Sequence, residues 1–238
     1  MHSADSVSII IPTYQEAGCI GPLIHYLRQA GADTSDVEII VADGQSTDGT
    51  ATVAADAGAR VVSCPQRGRA TQMNHGAAQA QGQLLYFLHA DTFPPAGFLA
   101  AIRAALGAGD YGSGCFRLRF DHPHWFLRLS AWFTRFPVEL VRFGDQSLFV
   151  RREVFAQAGG FRTDMVLLED QEIIPRLRRY GRFRLLPAPV VTSARKYLDN
   201  GIFRLQGIFL LLCVLYRLGV SQSKLRAVYR ALVQQDKI

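Results

Sequence analysis

Four polar clusters carry the groups that chemistry would need: Pro12-Thr13-Tyr14-Gln15-Glu16, Asp43-Gly44-Gln45-Ser46-Thr47-Asp48-Gly49-Thr50, His89-Ala90-Asp91-Thr92 and Glu169-Asp170. A carboxylate such as Asp43 can accept a hydrogen bond from a nucleobase imide or a ribose hydroxyl. The plainer alternative is a turn in which Asp and Gly serve only the backbone. Asp91 suits a divalent cation bridging a pyrophosphate, because hard Mg²⁺ or Mn²⁺ draws oxygen ligands from protein and phosphate together. Alternatively it caps a helix begun at Pro94-Pro95. His89 is either an imidazole ligand suited to Mn²⁺ or a packed residue at a strand end. Glu169 and Asp170 open a helix, where acidic side chains favourably meet the dipole. If Asp170 faces a crevice, it can also draw a proton from a hydroxyl as a general base.

The surrounding pattern says what must position these groups. Short β-branched or apolar runs at 7–11, 37–42, 60–62 and 83–88 read as strands. Between them, helical spacing is expected at 19–30, from Thr50 to 57, at 70–80 and at 95–106. Strand and helix alternate with short connections, which predicts an open, mostly parallel α/β sheet with helices on both faces. In such sheets ligands bind outside the carboxyl ends of the strands, so the first three polar clusters are expected to share one crevice. After residue 110 the texture changes. A strand with one polar face is expected at 116–120, and an aromatic helix at 124–143 that Pro137 kinks or divides. A strand at 148–150 and helices at 154–158 and 169–180 follow.

Charge divides the chain in the same place. Residues 1–110 carry five Lys/Arg against ten Asp/Glu, whereas residues 111–238 carry 21 against ten. An anionic partner is therefore expected for the second half. Nucleic acid is set aside, because no binding-module signature accompanies the charge. Four scattered cysteines without a C-x-x-C pair suggest neither zinc nor a disulfide framework, and so a cytoplasmic setting. Asp5 and the short run at 7–11 do not read as a signal peptide.

Ser8-Ile9-Ile10-Ile11-Pro12-Thr13-Tyr14-Gln15-Glu16 resembles the first strand of family 2 glycosyltransferases, with Gln15 where asparagine is commoner. Asp43–Thr50 resembles the family's D-D-G-S-T-D-G-T loop, His89-Ala90-Asp91 its D-x-D motif and Glu169-Asp170 its acidic catalytic pair. Arg67 to Asn74, Gly144-Asp145-Gln146 and Ser193-Ala194-Arg195 further resemble the radical-SAM/selenodomain-associated transferase 2 subgroup. The resemblance implies a GT-A fold and an inverting displacement of a nucleoside diphosphate from a sugar by an acceptor hydroxyl. It assigns Asp43 to the base, and Glu16 with Pro12, Thr13, Tyr14 and Ser46 to the nucleoside. Arg69 would meet phosphate, and Asp91 with His89 would hold a divalent metal, Mn²⁺ or Mg²⁺. Asp170 beside Glu169 would take the acceptor proton, while Asp145, Gln146 and Arg195 would line the acceptor side. His89 departs from D-x-D, where the family has an aspartate.

Three stretches are expected: a donor-binding half at 1–110, an acceptor and catalytic half at 111–200, and an apolar, basic helical segment at 201–238. The uncharged centre of that last segment, 205–216, amounts to ~18 Å of helix, too short for a bilayer core of ~30 Å. It is either a buried helix or one lying in a membrane plane. Peripheral attachment to an anionic inner membrane face is the favoured expectation, with a hydroxyl acceptor, free or lipid-linked. A catalytically inactive, membrane-peripheral nucleotide-binding protein is the competing reading. A nucleotidyltransferase would want a glycine-rich loop where Pro12 to Glu16 stand. Asp43→Ala is expected to weaken nucleotide binding and spare the fold.

Overall fold

The computed structural model describes residues 6–136 and 144–234. Its strands are β1 (Val7–Thr13), β2 (Val37–Asp43), β3 (Arg60–Ser63), β4 (Leu84–Phe87), β5 (Thr92–Phe93), β6 (Tyr111–Phe120), β7 (Leu148–Arg151) and β8 (Arg182–Thr192). They form one sheet in the order β3-β2-β1-β4-β7-β6-β8-β5. The first four strands in that order run parallel, and β6 and β8 are also parallel. β7 is antiparallel to both β4 and β6, and β5 to β8.

The helices are α1 (Ala17–Leu27), α2 (Thr50–Asp56), α3 (Arg69–Gln79), α4 (Phe98–Gly107), α5 (Trp125–Phe133), α6 (Arg152–Gln157), α7 (Glu169–Leu177), α8 (Arg195–Asn200), α9 (Ile202–Arg217) and α10 (Gln222–Leu232). Side-chain alternation along each central strand divides the core between the two sheet faces. Ile9, Ile11, Val41 and Tyr86 pack with α1, α4 and the C-terminal helices. Ile10, Ile40, Leu85 and Phe87 pack with α3, α6 and α7. The expected α/β sheet covered on both faces is therefore present.

Several element boundaries differ from the sequence expectation. The strand expected at 116–120 extends back to Tyr111, because Gly112 and Gly114 let neighbours close in. A Cβ on Gly114 would run into the Arg184 carbonyl and the Phe149 ring. The helix expected at 124–143 is α5, which ends at Phe133, with a turn to Phe136; the remainder lies outside the described residues. The helix expected at 169–180 stops at Leu177, and the one expected at 19–30 spans Ala17–Leu27 before a π-helical turn that contains Gly31 in a left-handed conformation. β8 has no counterpart in the expectation. Its prolines argue against a strand, but the register shifts by two residues between the Phe116–Leu186 and Arg117–Pro189 pairs. The irregularity leaves Pro187 outside the paired register, where a residue without an N–H is tolerated.

Candidate active site

The carboxyl ends of β1 and β2 are tied together by polar side chains. Asp43 is buried and stands in register with Thr13. Its carboxylate accepts hydrogen bonds from Thr13 Oγ1 (3.0 Å), Ser46 N (2.8 Å) and Ser46 Oγ (2.6 Å). Gln15, in a left-handed conformation (φ 55°), donates to Thr47 Oγ1 (2.9 Å) and accepts from the Asp48 amide (3.1 Å). The amide that stands in for asparagine thus laces the first polar loop to the second. Gln72 does comparable work from α3, donating to the Thr13 and Ala42 carbonyls at 2.6 and 2.8 Å. No role was expected for it. Its signal is its place four residues before Gly76, on the α3 face that packs against β1 and β2. Tyr14 lies under the Arg67 guanidinium, 3.5 Å from ring centroid to Arg67 Cζ, a cation–π contact.

Antiparallel pairing of β4 with β7 brings a second set of groups together. Phe87 faces Leu148, so the residues that leave β4 meet those that enter β7. His89 Nδ1 accordingly lies 3.2 Å from Asp145 Oδ1. Burial opposes charge on His89, but the Asp145 hydrogen bond together with the charges of Asp145 and Asp170 holds the imidazole above its ordinary proton affinity. Burial likewise penalises the Asp145 carboxylate, yet His89 brings it below the usual range. Asp91 is fixed by its neighbours: its carbonyl accepts from Ser193 N (3.2 Å), and Thr92 meets Thr192 hydroxyl to hydroxyl at 2.9 Å. Burial, then the charges of Asp145 and Glu16, raise the Asp91 carboxyl. Glu16 in turn faces Arg195 at 3.9 Å.

The acidic pair sits at the start of α7. Leu168, immediately before it, is left-handed (φ 65°), a strained setting for leucine. The approach to that residue is pinned from α10, where Gln222 Oε1 accepts from the Val166 and Leu167 amides at 3.0 and 3.1 Å. Glu169 is 1% exposed. Its Oε1 binds Arg69 Nη1 at 3.2 Å, while its Oε2 is buried without a hydrogen-bond partner. Burial, and then the adjacent Glu169 charge, push Asp170 up to about 7, against the pull of His89 and Arg69. Asp170 and His89 line a cavity of about 20 Å³ with Met73, Phe87 and Cys115, room for about one water.

The ends of β1 and β2 thus bring Thr13, Asp43 and Ser46 together, with Pro12, Tyr14 and Glu16 beside them in the chain. Arg69, His89, Asp145, Glu169 and Asp170 form one electrostatic cluster, bordered by Asp91 and Arg195. Gln146 is buried, donates to the Phe116 carbonyl (3.1 Å) and lines the same small cavity as His89 and Asp170.

Comparisons with known proteins agree with this architecture. The model of "Glycosyl transferase family 2" matches residues 8–162. Glycosyltransferase AglJ of Haloferax volcanii is 45% identical over 62 residues, which are 26% of this chain and 19% of that protein. The mannosyltransferase PcManGT from Pyrobaculum calidifontis, solved with GDP-Man and Mn²⁺, superposes with a TM-score of 0.64 at 23% identity, over 79% of this chain and 56% of its own. Glucosyl-3-phosphoglycerate synthase from Mycobacterium tuberculosis, solved with Mn²⁺, UDP and glucosyl-3-phosphoglycerate, gives 0.64 at 19% identity, over 92% and 83% of the two chains. At such identities the structural likeness is one of fold. This chain spans about a fifth of the curated relative and little more than half of PcManGT. With well over half of its length matched by the family model and a GT-A sheet beneath the four polar clusters, the chain belongs to glycosyl transferase family 2.

Proposed function

We propose that the protein is a glycosyltransferase that moves a sugar from a nucleoside diphosphate to an acceptor hydroxyl, with inversion at the anomeric carbon and Asp170 as the general base. The setting of Asp170 carries this reading: a half-buried carboxylate beside Glu169, raised to about 7, at the rim of the strand-end crevice. A base with that proton affinity combines a useful ionised fraction at neutral pH with real proton-accepting strength. As the acceptor oxygen attacks the anomeric carbon, its proton passes to Asp170 and the carbon–oxygen bond to the diphosphate breaks. Glu169 holds Arg69 in place for the phosphates, and the β1–β2 loops with Glu16 hold the nucleoside.

The acidic crevice fits a divalent cation, Mn²⁺ or Mg²⁺. Asp91 offers carboxylate oxygens to such an ion, and burial first, then the charges of Asp145 and Glu16, raise its proton affinity. Among the described residues no three ligand-type side chains gather closely enough to hold an ion alone, so diphosphate oxygens would have to complete its shell. When bound, such an ion supplies charge neutralisation on the departing nucleotide. Asp91 would hold it. His89 Nδ1 is turned to Asp145, which makes His89 a support of the acceptor side in this reading. Both PcManGT and the M. tuberculosis synthase are described with Mn²⁺. We place the enzyme in the cytoplasm, peripheral to an anionic inner membrane face, where a lipid-linked hydroxyl would be at hand.

Asp170→Asn tests the assignment, because it keeps the shape and removes the basic oxygen. Turnover is expected to fall by ~10²-fold or more, with the nucleotide-sugar dissociation constant nearly unchanged. In the wild type, turnover rises with pH through a group near 7, and the variant loses that limb. A folded Asp170→Asn that turns over near the wild-type rate sinks the assignment and moves attention to Asp145.

A further inference from the structure

We propose that one continuous face of α5 and α9 docks on an anionic lipid surface and thereby turns the crevice towards an acceptor carried in the bilayer. The helix α9 has two apolar sides. Leu205, Ile208 and Leu212, spaced three and four apart, are buried in the core. Phe203, Leu210, Leu211, Val214 and Leu218 face outwards instead, with Phe203 57% and Leu218 74% exposed. A helix on the surface of a globular protein ordinarily shows polar residues there. In α5 only Leu127 is buried. Trp125 is 62% exposed, and Leu129, Trp132 and Phe133 are exposed with it. The two helices join through their rings: Phe203 lies 4.8 Å from Phe126, 6.0 Å from Trp125 and 5.8 Å from His124, centroid to centroid.

Charge selects the occupant. From His122 to Phe136 there is no acidic residue, and Arg128 and Arg135 are present. From Gly201 to Gln234 there is again none, against Arg204, Arg217, Lys224, Arg226 and Arg230. A second copy paired about a two-fold axis would set these acid-free, arginine-bearing helices against themselves. An anionic leaflet complements it, and aromatic, arginine-flanked helices lying in the interface plane are the form such contact takes. Among the described residues no helix is long and apolar enough to cross a membrane, so the contact is peripheral.

The entry to α5 is tied to the site through one turn. The carboxylate of Asp121, just before α5, accepts from the Ala194 amide at 2.7 Å, and Arg195 of the same turn reaches Glu16. Docking stands on these surface observations alone, whereas presentation of a bilayer-borne acceptor rests on the glycosyltransfer reading.

Co-sedimentation of the full chain with vesicles tests the docking. The protein is expected to pellet with phosphatidylglycerol-containing vesicles, and weakly with phosphatidylcholine alone. Binding should fade in 1 M salt, where screening acts over ~3 Å. Trp125→Gln with Phe203→Gln, and separately Leu210→Gln with Val214→Gln, are expected to lower vesicle affinity roughly tenfold or more. Because these side chains are exposed, the circular dichroism spectrum and donor hydrolysis in solution should not move. Indifference to anionic vesicles overturns the proposal, as does binding that both double variants leave intact. A dimer in light scattering that the variants dissolve would assign the face to a second copy. Wild-type protein that binds vesicles but never consumes a nucleotide sugar would sink the glycosyltransfer reading and leave docking standing.

Discussion

The Asp43 carboxylate is surrounded by donors from its own chain, and that alters what its removal should do. Thr13 Oγ1 and both the amide and the hydroxyl of Ser46 converge on it in a buried setting. Alanine would strand these donors, at a cost of about 1–3 kcal/mol for unsatisfied buried groups. The expectation that Asp43→Ala spares the fold therefore gives way to a double effect. Urea denaturation should show a lowered midpoint, and calorimetric titration should show weaker nucleotide binding. Wild-type stability in the alanine variant would mean that water satisfies the turn. Glu169 has the same dual character, holding Arg69 with one oxygen while its buried charge raises its neighbour.

At the level of elements, α7 owes its position to a helix far along the chain. The left-handed Leu168 sets the angle at which α7 leaves its loop, and Gln222 of α10 accepts both preceding amides. Its Nε2 also reaches Met165 Sδ at 3.2 Å. The C-terminal segment is thus part of the frame that aims Asp170, rather than an appendage. Gln222→Ala is expected to lower turnover about tenfold by loosening that aim, with donor affinity held by the β1 and β2 ends and unchanged. Gln222→Glu, which keeps the accepting oxygen, should recover much of the loss. A parallel fall in donor affinity would point instead to general unfolding.

Over the whole molecule, the crevice concentrates charge that the fold must tolerate, and pH exposes the cost. Asp170 has a folded value of about 7, against ~3.9 for an ordinary aspartate. Near pH 4 and below, both folded and unfolded chains hold the proton, and the group contributes nothing. Between about 4 and 7 the unfolded chain releases it first, so stability falls as pH rises, and above 7 the full cost remains. Asp170→Asn should therefore be more stable than the wild type at pH 8, on the order of 2 kcal/mol once partial exposure is discounted. The gap should close towards pH 4. Thermal unfolding of the two proteins across that range checks the sign, and a gap that grows on acidification would refute the burial account.

Much of this was legible in the residues because it is local. Short apolar runs mark β1, β2 and β4 as buried strands, and the polar clusters lie where parallel strands end, so the strand-end positions of Asp43, Asp91 and Glu16 could be read directly. β8 and α10 could not. A strand containing Pro187 and Pro189 looks broken until β6 supplies a partner, the register skipping Pro187 and setting Pro189 opposite Arg117. The pairing of His89 with Asp145, of Arg69 with Glu169 and of Gln222 with the 166–167 loop joins positions 55 to 100 residues apart. No periodicity encodes such distances. Only packing decides them, just as it decides that Gln146 turns inwards while the apolar outer side of α9 stays uncovered: a side chain's environment is set by which distant surface the chain brings against it.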